Sequence, residues 1–290
     1  KALSQGEWES VKLWKEFTSY SISAMQVQLN RLNVQPDFDI GESFYEGIGL
    51  PKMGDYPDLQ FKMSDIVKEL VDKKVATKNE DGSVRVDFWD ILPSCMLQKR
   101  DGTHGYLASD LAAIKYRMAY WNPERIIYHV DVRQQLHLSQ AFEIAKNAGW
   151  LWNTQLFHAY NWFISLKDGA MSTRKGNIIK LDALLDEALQ RAKNIVLEKN
   201  PEMSEKDLAE ISEIIWIWAI KYWYLSKWRT TDMIFDWDEF MTFEWNSFPY
   251  VAYSYVRALR VLEKSWISWE KITTSKISES FSHPEQVILY

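Results

Sequence analysis

Between residues 107 and 166 the chain alternates between two hydrophobic periods, and this limits the folds open to it. Residues 107–120 have helical spacing, RIIYHV at 125–130 is a β-branched run, 134–147 are helical again, and 155–166 are strand-like. Strands separated by helices need crossover connections, which predict a mostly parallel sheet with helices on both faces. Past Asp182 the pattern is almost wholly helical, over 182–199, 204–225 and 249–266. The expected architecture is an α/β region giving way to a helical one near residue 182.

Ahead of the alternation, Val11, Trp14, Phe17, Ile22, Met25 and Leu29 predict a long amphipathic helix over 9–32. A short strand over 37–40, an irregular Gly/Pro-rich stretch over 41–57 and a helix over 63–73 follow. Then come a hairpin of 75–77 with 83–86, around Asn79-Glu80-Asp81-Gly82, and a strand over 94–99 ending at Asp101-Gly102. There is no internal repeat and no low-complexity tract.

A chain of 290 residues with 47% hydrophobic content can bury one large or two smaller cores. A net charge of −6 argues against a surface coated in basic residues, though not against a local basic groove. The single cysteine, Cys95, excludes an internal disulfide and reads as a small buried residue in a reducing compartment. Five scattered histidines offer no metal-ligand spacing, so no metal site is expected. No signal peptide opens the chain, and the apolar stretch 214–225 is broken by Lys221; a soluble cytoplasmic protein is expected. A start at Lys1 and a stop at Tyr290, just inside what reads as a new helix, suggest a fragment.

Three segments could carry chemistry, and in a doubly wound sheet ligands sit beyond the carboxyl ends of strands. In Asp101–Asp110, Tyr106 and Asp110 are four apart at a helix start and can share a face. A phenol beside a carboxylate suits a guanidinium, gripped through two parallel bonds; equally, Asp110 or Ser109 could simply cap the helix. Arg133 to His137 opens a helix directly after a strand, a common nucleotide position, although a lone histidine proves little. Gly169 to Asn177 is a glycine-bounded loop with two adjacent cations and two hydroxyls. It could close over a triphosphate or be a solvated basic turn.

In this order and spacing, DGTHGYLASDLA, the Q-x-x-H of Gln134–His137 and MSTRKGN (171–177) resemble the arginyl-tRNA synthetases. AIKY (219–222), FDWDE (235–239), FEWN (243–246) and PY-x-x-Y-x-Y-x-R (249–257) extend the resemblance from about residue 10 to the end. It implies an α/β fold: part of a class I synthetase Rossmann-like nucleotide-binding core, then an all-helical region leading into an anticodon-binding helical bundle. On that pattern residues 1–181 are the C-terminal part of the catalytic domain, 182–247 a helical stem, and 248–290 the start of the anticodon domain. The implied activity is arginine–tRNA ligation: ATP activates arginine as arginyl-adenylate, and the arginyl group passes to the 3′-terminal ribose of its tRNA. Tyr106, Asp110 and Gln134 would line the arginine pocket. His137 would lie near the adenylate, and Met171, Ser172, Thr173, Arg174 and Lys175 over the ATP phosphates. The implied partners are arginine tRNA, L-arginine and ATP with Mg²⁺ as substrate, with no bound metal cofactor and no membrane. A monomer is the family expectation.

The chain departs from that pattern in three ways. The His-x-Gly-His signature is absent from these 290 residues, which leaves half an ATP site. The chain alone is expected not to support ATP–pyrophosphate exchange. Ala170 and Thr173 stand where many class I enzymes carry lysine, and Arg174 and Lys175 would supply the charge. Finally, tryptophan occupies family glycine positions at Trp162, Trp216, Trp218 and Trp245, whereas Trp14 and Trp237 fit their contexts. Average usage of about 7% predicts roughly 20 glycines in such a length; this chain has 11, beside 15 tryptophans. Either an aromatic-rich core compensates for these replacements, or the gene reads UGA as glycine.

Two other functional readings follow from the sequence. A non-catalytic synthetase-like module would bind tRNA or a protein. A class I synthetase for glutamate or cysteine would share the core, though Tyr106 and Asp110 point to a cationic amino acid.

Overall fold

The structure, a computed structural model, describes residues 2–3, 6–45, 55–162, 164–166, 180–240 and 247–264. Helix α1 (Trp8–Arg31) is capped by the Glu7 carboxylate, which accepts from the Glu9 and Ser10 amides at 3.2 and 2.7 Å. These are two of the donors a helix start leaves without partners. Val11, Trp14, Ile22 and Leu29 are half-buried, but Phe17 and Met25 are exposed and no residue of α1 is buried. The expected strand over 37–40 reduces to a single bridge residue, Asp39, before the short α2 (Glu42–Tyr45).

Helix α3 (Met63–Asp72) leads into an antiparallel sheet of β1 (Thr77–Lys78), β2 (Val84–Val86) and β3 (Cys95–Gln98). The predicted turn is closed by the Asn79 amide on the Ser83 carbonyl at 2.8 Å. The Asp81 carboxylate accepts from the Ser83 amide at 3.0 Å, and Gly82 supplies a φ of +84°. Helix α4 (Tyr106–Trp121), β4 (Arg125–Tyr128), α5 (Gln135–Asn147) and β5 (Gln155–His158) form a crossover unit. Its strands pair in parallel, from Arg125↔Gln155 to Tyr128↔His158.

The core of this unit lies among α3, β3, α4 and α5, where Ile66, Leu70, Leu97, Leu111, Ile114 and Ile144 are fully buried. Ala108 and Ala112 on α4 and Ala141 and Ala145 on α5 are also fully covered, and their small side chains let the two helices approach. Glu69 joins the layers: its carboxylate accepts from Lys115, from Lys73 at 2.9 Å, and from the Trp150 indole at 2.9 Å. Burial raises its pKa, but these three donors win and hold it at about 2.

The strand expected over 155–166 divides in two. The chain leaves β4 after the Asp131↔Asn161 bridge, and the Trp162 amide donates to the Arg229 carbonyl at 3.0 Å. From there β6 (Ile164–Leu166) pairs in parallel with β7 (Met233–Phe235). The expected single sheet is thus two parallel pairs among the described residues, because the strand changes neighbour midway.

Two compact units result: Lys1–Leu185 with Lys227–Phe235, and Asp186–Ser226 with Asp236–Tyr290. The second contains most of α6 (Leu181–Lys199), then α7 (Glu205–Ser226), α8 (Trp237–Phe240) and α9 (Phe248–Lys264). Ser204 caps α7, its hydroxyl accepting from the Asp207 amide at 3.1 Å and donating to the Asp207 carboxylate at 2.7 Å. Trp216 is fully buried in α7; Trp218, half exposed, stacks on Phe248 of α9 with centroids 6.2 Å apart. The Arg191 guanidinium sits 4.8 Å over the Trp237 ring. No helix among the described residues is long and apolar enough to cross a membrane.

Trp216 and Trp218 are helical, so a positive φ is not what would call for glycine there. Trp245 lies outside the described residues. Among the described tryptophans, positive φ falls instead on Trp89 (47°) and Trp152 (45°), which sequence reading had not singled out.

Candidate active site

Helix α4 begins at Tyr106 after Gly105, so Ser109 and Asp110 are already four and five residues inside it and cap nothing. The capping alternative fails for that reason. The Ser109 hydroxyl is 2.7 Å from Oε1 of Glu42, to which it donates. The Asp110 carboxylate meets Nε2 of His137 at 2.5 Å, across 27 positions of sequence, and so joins the start of α4 to the first turn of α5. Since a carboxylate only accepts, the imidazole is assigned its proton on Nε2. Both side chains keep partial exposure, 36% for Asp110 and 28% for His137, so a ligand can reach them.

Tyr106 stands one turn before Asp110 on α4 and is exposed. Gln134 is exposed at the end of the 3₁₀ turn Val132–Gln134, one turn ahead of His137. That turn follows β4 and is held by Asp131, whose carboxylate accepts from the Arg133 amide at 2.8 Å and Nε at 2.9 Å. Asp131 and Asn161 bridge beyond the carboxyl ends of β4 and β5. The Arg229 guanidinium lies over Tyr160 and Phe157 and donates to the Tyr160 carbonyl at 2.7 Å.

Beneath Asp110 lies a group that sequence reading missed. Arg117, two turns along α4, donates to the Tyr128 hydroxyl at 2.7 Å and lies over its ring. Burial pushes Tyr128 up to about 12, with Arg117 opposing and the Asp110 charge adding. Tyr45 is raised to about 12 by burial in the same way, again with Arg117 opposing. Both phenols are therefore neutral at physiological pH. The seven-residue spacing of Asp110 and Arg117 was visible in the sequence; the arrival of Tyr128 from β4 was not.

Met171, Ser172, Thr173, Arg174 and Lys175, and Ala170 beside them, lie outside the described residues. Among the described residues no group of three or more His, Cys, Asp or Glu side chains could hold a metal ion. Cys95 is half-buried, and burial pushes its thiol up to about 11, against a nucleophilic role at neutral pH.

Comparison with known proteins places these features in context. The family profile "tRNA synthetases class I (R), catalytic domain" matches residues 1–237. An arginine–tRNA ligase of Fusobacterium nucleatum is 41% identical over 266 residues, 91% of this chain and 44% of that relative. One from Clostridium acetobutylicum is 34% identical, over 95% of this chain and 47% of the relative. The chain therefore spans less than half the length of these relatives. Among solved structures, an arginyl-tRNA synthetase of Plasmodium falciparum superposes with a TM-score of 0.76 at 25% identity, covering 92% of this chain and 43% of that one. That of Thermus thermophilus superposes with 0.70 at 22% identity, over 99% and 50%, a likeness of fold.

Proposed function

This chain belongs to the family of class I tRNA synthetases for arginine, in its catalytic domain, and from that premise we propose that it carries the arginine-recognising part of an arginine–tRNA ligase. The observation that supports the reading is the Asp110 carboxylate, held at 2.5 Å by His137, partly exposed, with the Tyr106 phenol one turn away. A carboxylate presented in this way can take a guanidinium through two parallel hydrogen bonds, and a phenol can add a third contact. Gln134, on the neighbouring turn, would supply a neutral hydrogen-bonding group to the same ligand.

In this reading the substrates are arginine, ATP with Mg²⁺, and arginine tRNA, with the cytoplasm as the place of work and a monomer as the active form. Residues 1–181 would be the latter part of the catalytic domain, 182–247 a helical stem, and 248–290 the opening of the anticodon-binding domain. Neither adenylate formation nor transfer needs a covalent intermediate on the protein. Its contribution would be positioning, and neutralisation of phosphate charge by Arg174 and Lys175. Aminoacylation by the full-length gene product tests the reading: arginine is charged, and Asp110→Asn raises KM for arginine about 100-fold. Charging of glutamate or cysteine instead of arginine would overturn it. The 290-residue chain alone is expected to give no ATP–pyrophosphate exchange.

A further inference from the structure

We propose that His137 is a positioning residue for arginine recognition, acting through Asp110 and not through the adenylate; the inference rests on the reading above. The Asp110 side chain starts from a helix surface, where it would otherwise sample several rotamers. His137 Nε2 fixes one oxygen, Oδ2, at 2.5 Å. No other partner of that carboxylate occurs among the described residues, which leaves Oδ1 and the second lone pair of Oδ2 for a ligand. The histidine is itself held: α5 packs on α4, and Leu138 and Ala141 beside His137 are buried. Its bond therefore orders the carboxylate before arginine arrives, and preorganisation of this kind strengthens binding without a contact to the ligand. A strut that merely tied the two helices together would change stability but not discriminate between substrates.

The test uses the full-length gene product with His137→Ala, His137→Gln, His137→Leu, Asp110→Asn and the double variant His137→Ala/Asp110→Asn, measuring arginine and ATP binding by calorimetry. His137→Ala is expected to weaken arginine about tenfold and leave ATP unchanged. His137→Gln, which keeps a donor at a similar reach, recovers most of the loss. His137→Leu, which fills the space without a donor, is expected to weaken arginine as alanine does and covers the case in which the alanine variant fails to fold. In the Asp110→Asn background, loss of His137 adds no further effect, because the two act as one unit. Unchanged arginine affinity in a folded variant that lacks the donor, a loss confined to ATP, or full additivity would overturn the proposal. Absence of arginine binding by the unmodified protein would defeat the arginine reading itself, a separate outcome.

A different observation carries a second inference. Trp89 and Trp152 combine a left-handed backbone, φ 47° and 45°, with exposures of 89% and 83%. A large side chain in that region is strained, and neither ring is buried in return. Trp150, two residues before Trp152, is the opposite: buried, with its indole bonded to Glu69. We infer that positions 89 and 152 are occupied by glycine in the protein as its cell makes it, through UGA codons. Glycine meets the left-handed geometry without strain, and the 11 glycines beside 15 tryptophans fit such decoding. The gene should carry UGA at 89 and 152 but UGG at 150, and peptides from the source cells should carry glycine at the first two. UGG at 89 and 152 would overturn it.

Discussion

Helices α1 and α4 were both legible from apolar spacing, yet α4 buries eight of its residues and α1 buries none. The difference is one of partners. In α4 the apolar positions meet α3, β3 and α5, and four of its buried residues are the small Ala108, Ser109, Ala112 and Ala113, which permit close approach. In α1 order comes from its own chain: the Glu7 cap, the Gln26–Asn30 side-chain bond at 2.9 Å, and Lys12 lying 5.4 Å over Trp8. Periodicity thus declares a helix, but only a facing surface makes its stripe a core.

This contrast can be broken by substitution. Leu111→Ala should cost about 3 kcal/mol in urea unfolding, a buried side chain replaced by a cavity, while Phe17→Ala, 68% exposed, should cost under about 0.5 kcal/mol. Equal costs would end the distinction between the two helices. Next in size is Glu69→Gln, expected to cost about 2 kcal/mol at pH 7, because three donors lose their charged acceptor.

The pH dependence of that cost follows from the lowered pKa. Glu69 titrates at about 2 in the fold against an ordinary 4.5, so its contribution is complete above the ordinary value and is lost as pH falls through about 2. The gap between Glu69→Gln and the unmodified protein should narrow over that window, and a gap of constant size would contradict it. In the second unit, Ser204→Ala removes the α7 cap and should cost about 1 kcal/mol. Smallest is Gln26→Ala in α1, about 0.3 kcal/mol, read as a slight loss of helical signal by circular dichroism.

Much of the fold and site was legible for physical reasons that can be named. The hairpin at Asn79–Gly82 rests on Asp81 and Gly82, whose turn preferences are local. The crossover from β4 through α5 to β5 follows from alternating periods, which are local as well. Tyr106 and Asp110 share a face because a helix sets that spacing. By contrast, the division of 155–166 into β5 and β6 depends on Arg229, nearly seventy residues away, and no pattern within the strand announces it.

The sequence by itself determined most element types and the family blocks, since these rest on spacing and turn chemistry. It did not announce β7 (Met233–Phe235), which brings the chain back to the first unit after the helices that follow residue 182. Tertiary structure alone decided that Asp110 meets His137 and is not a helix cap, that α1 leaves its apolar stripe half-buried at most, and that the strained tryptophans are Trp89 and Trp152. The physical reason is common to all three: contacts, burial and φ depend on neighbours remote in the chain, and residue spacing carries information only over a few turns.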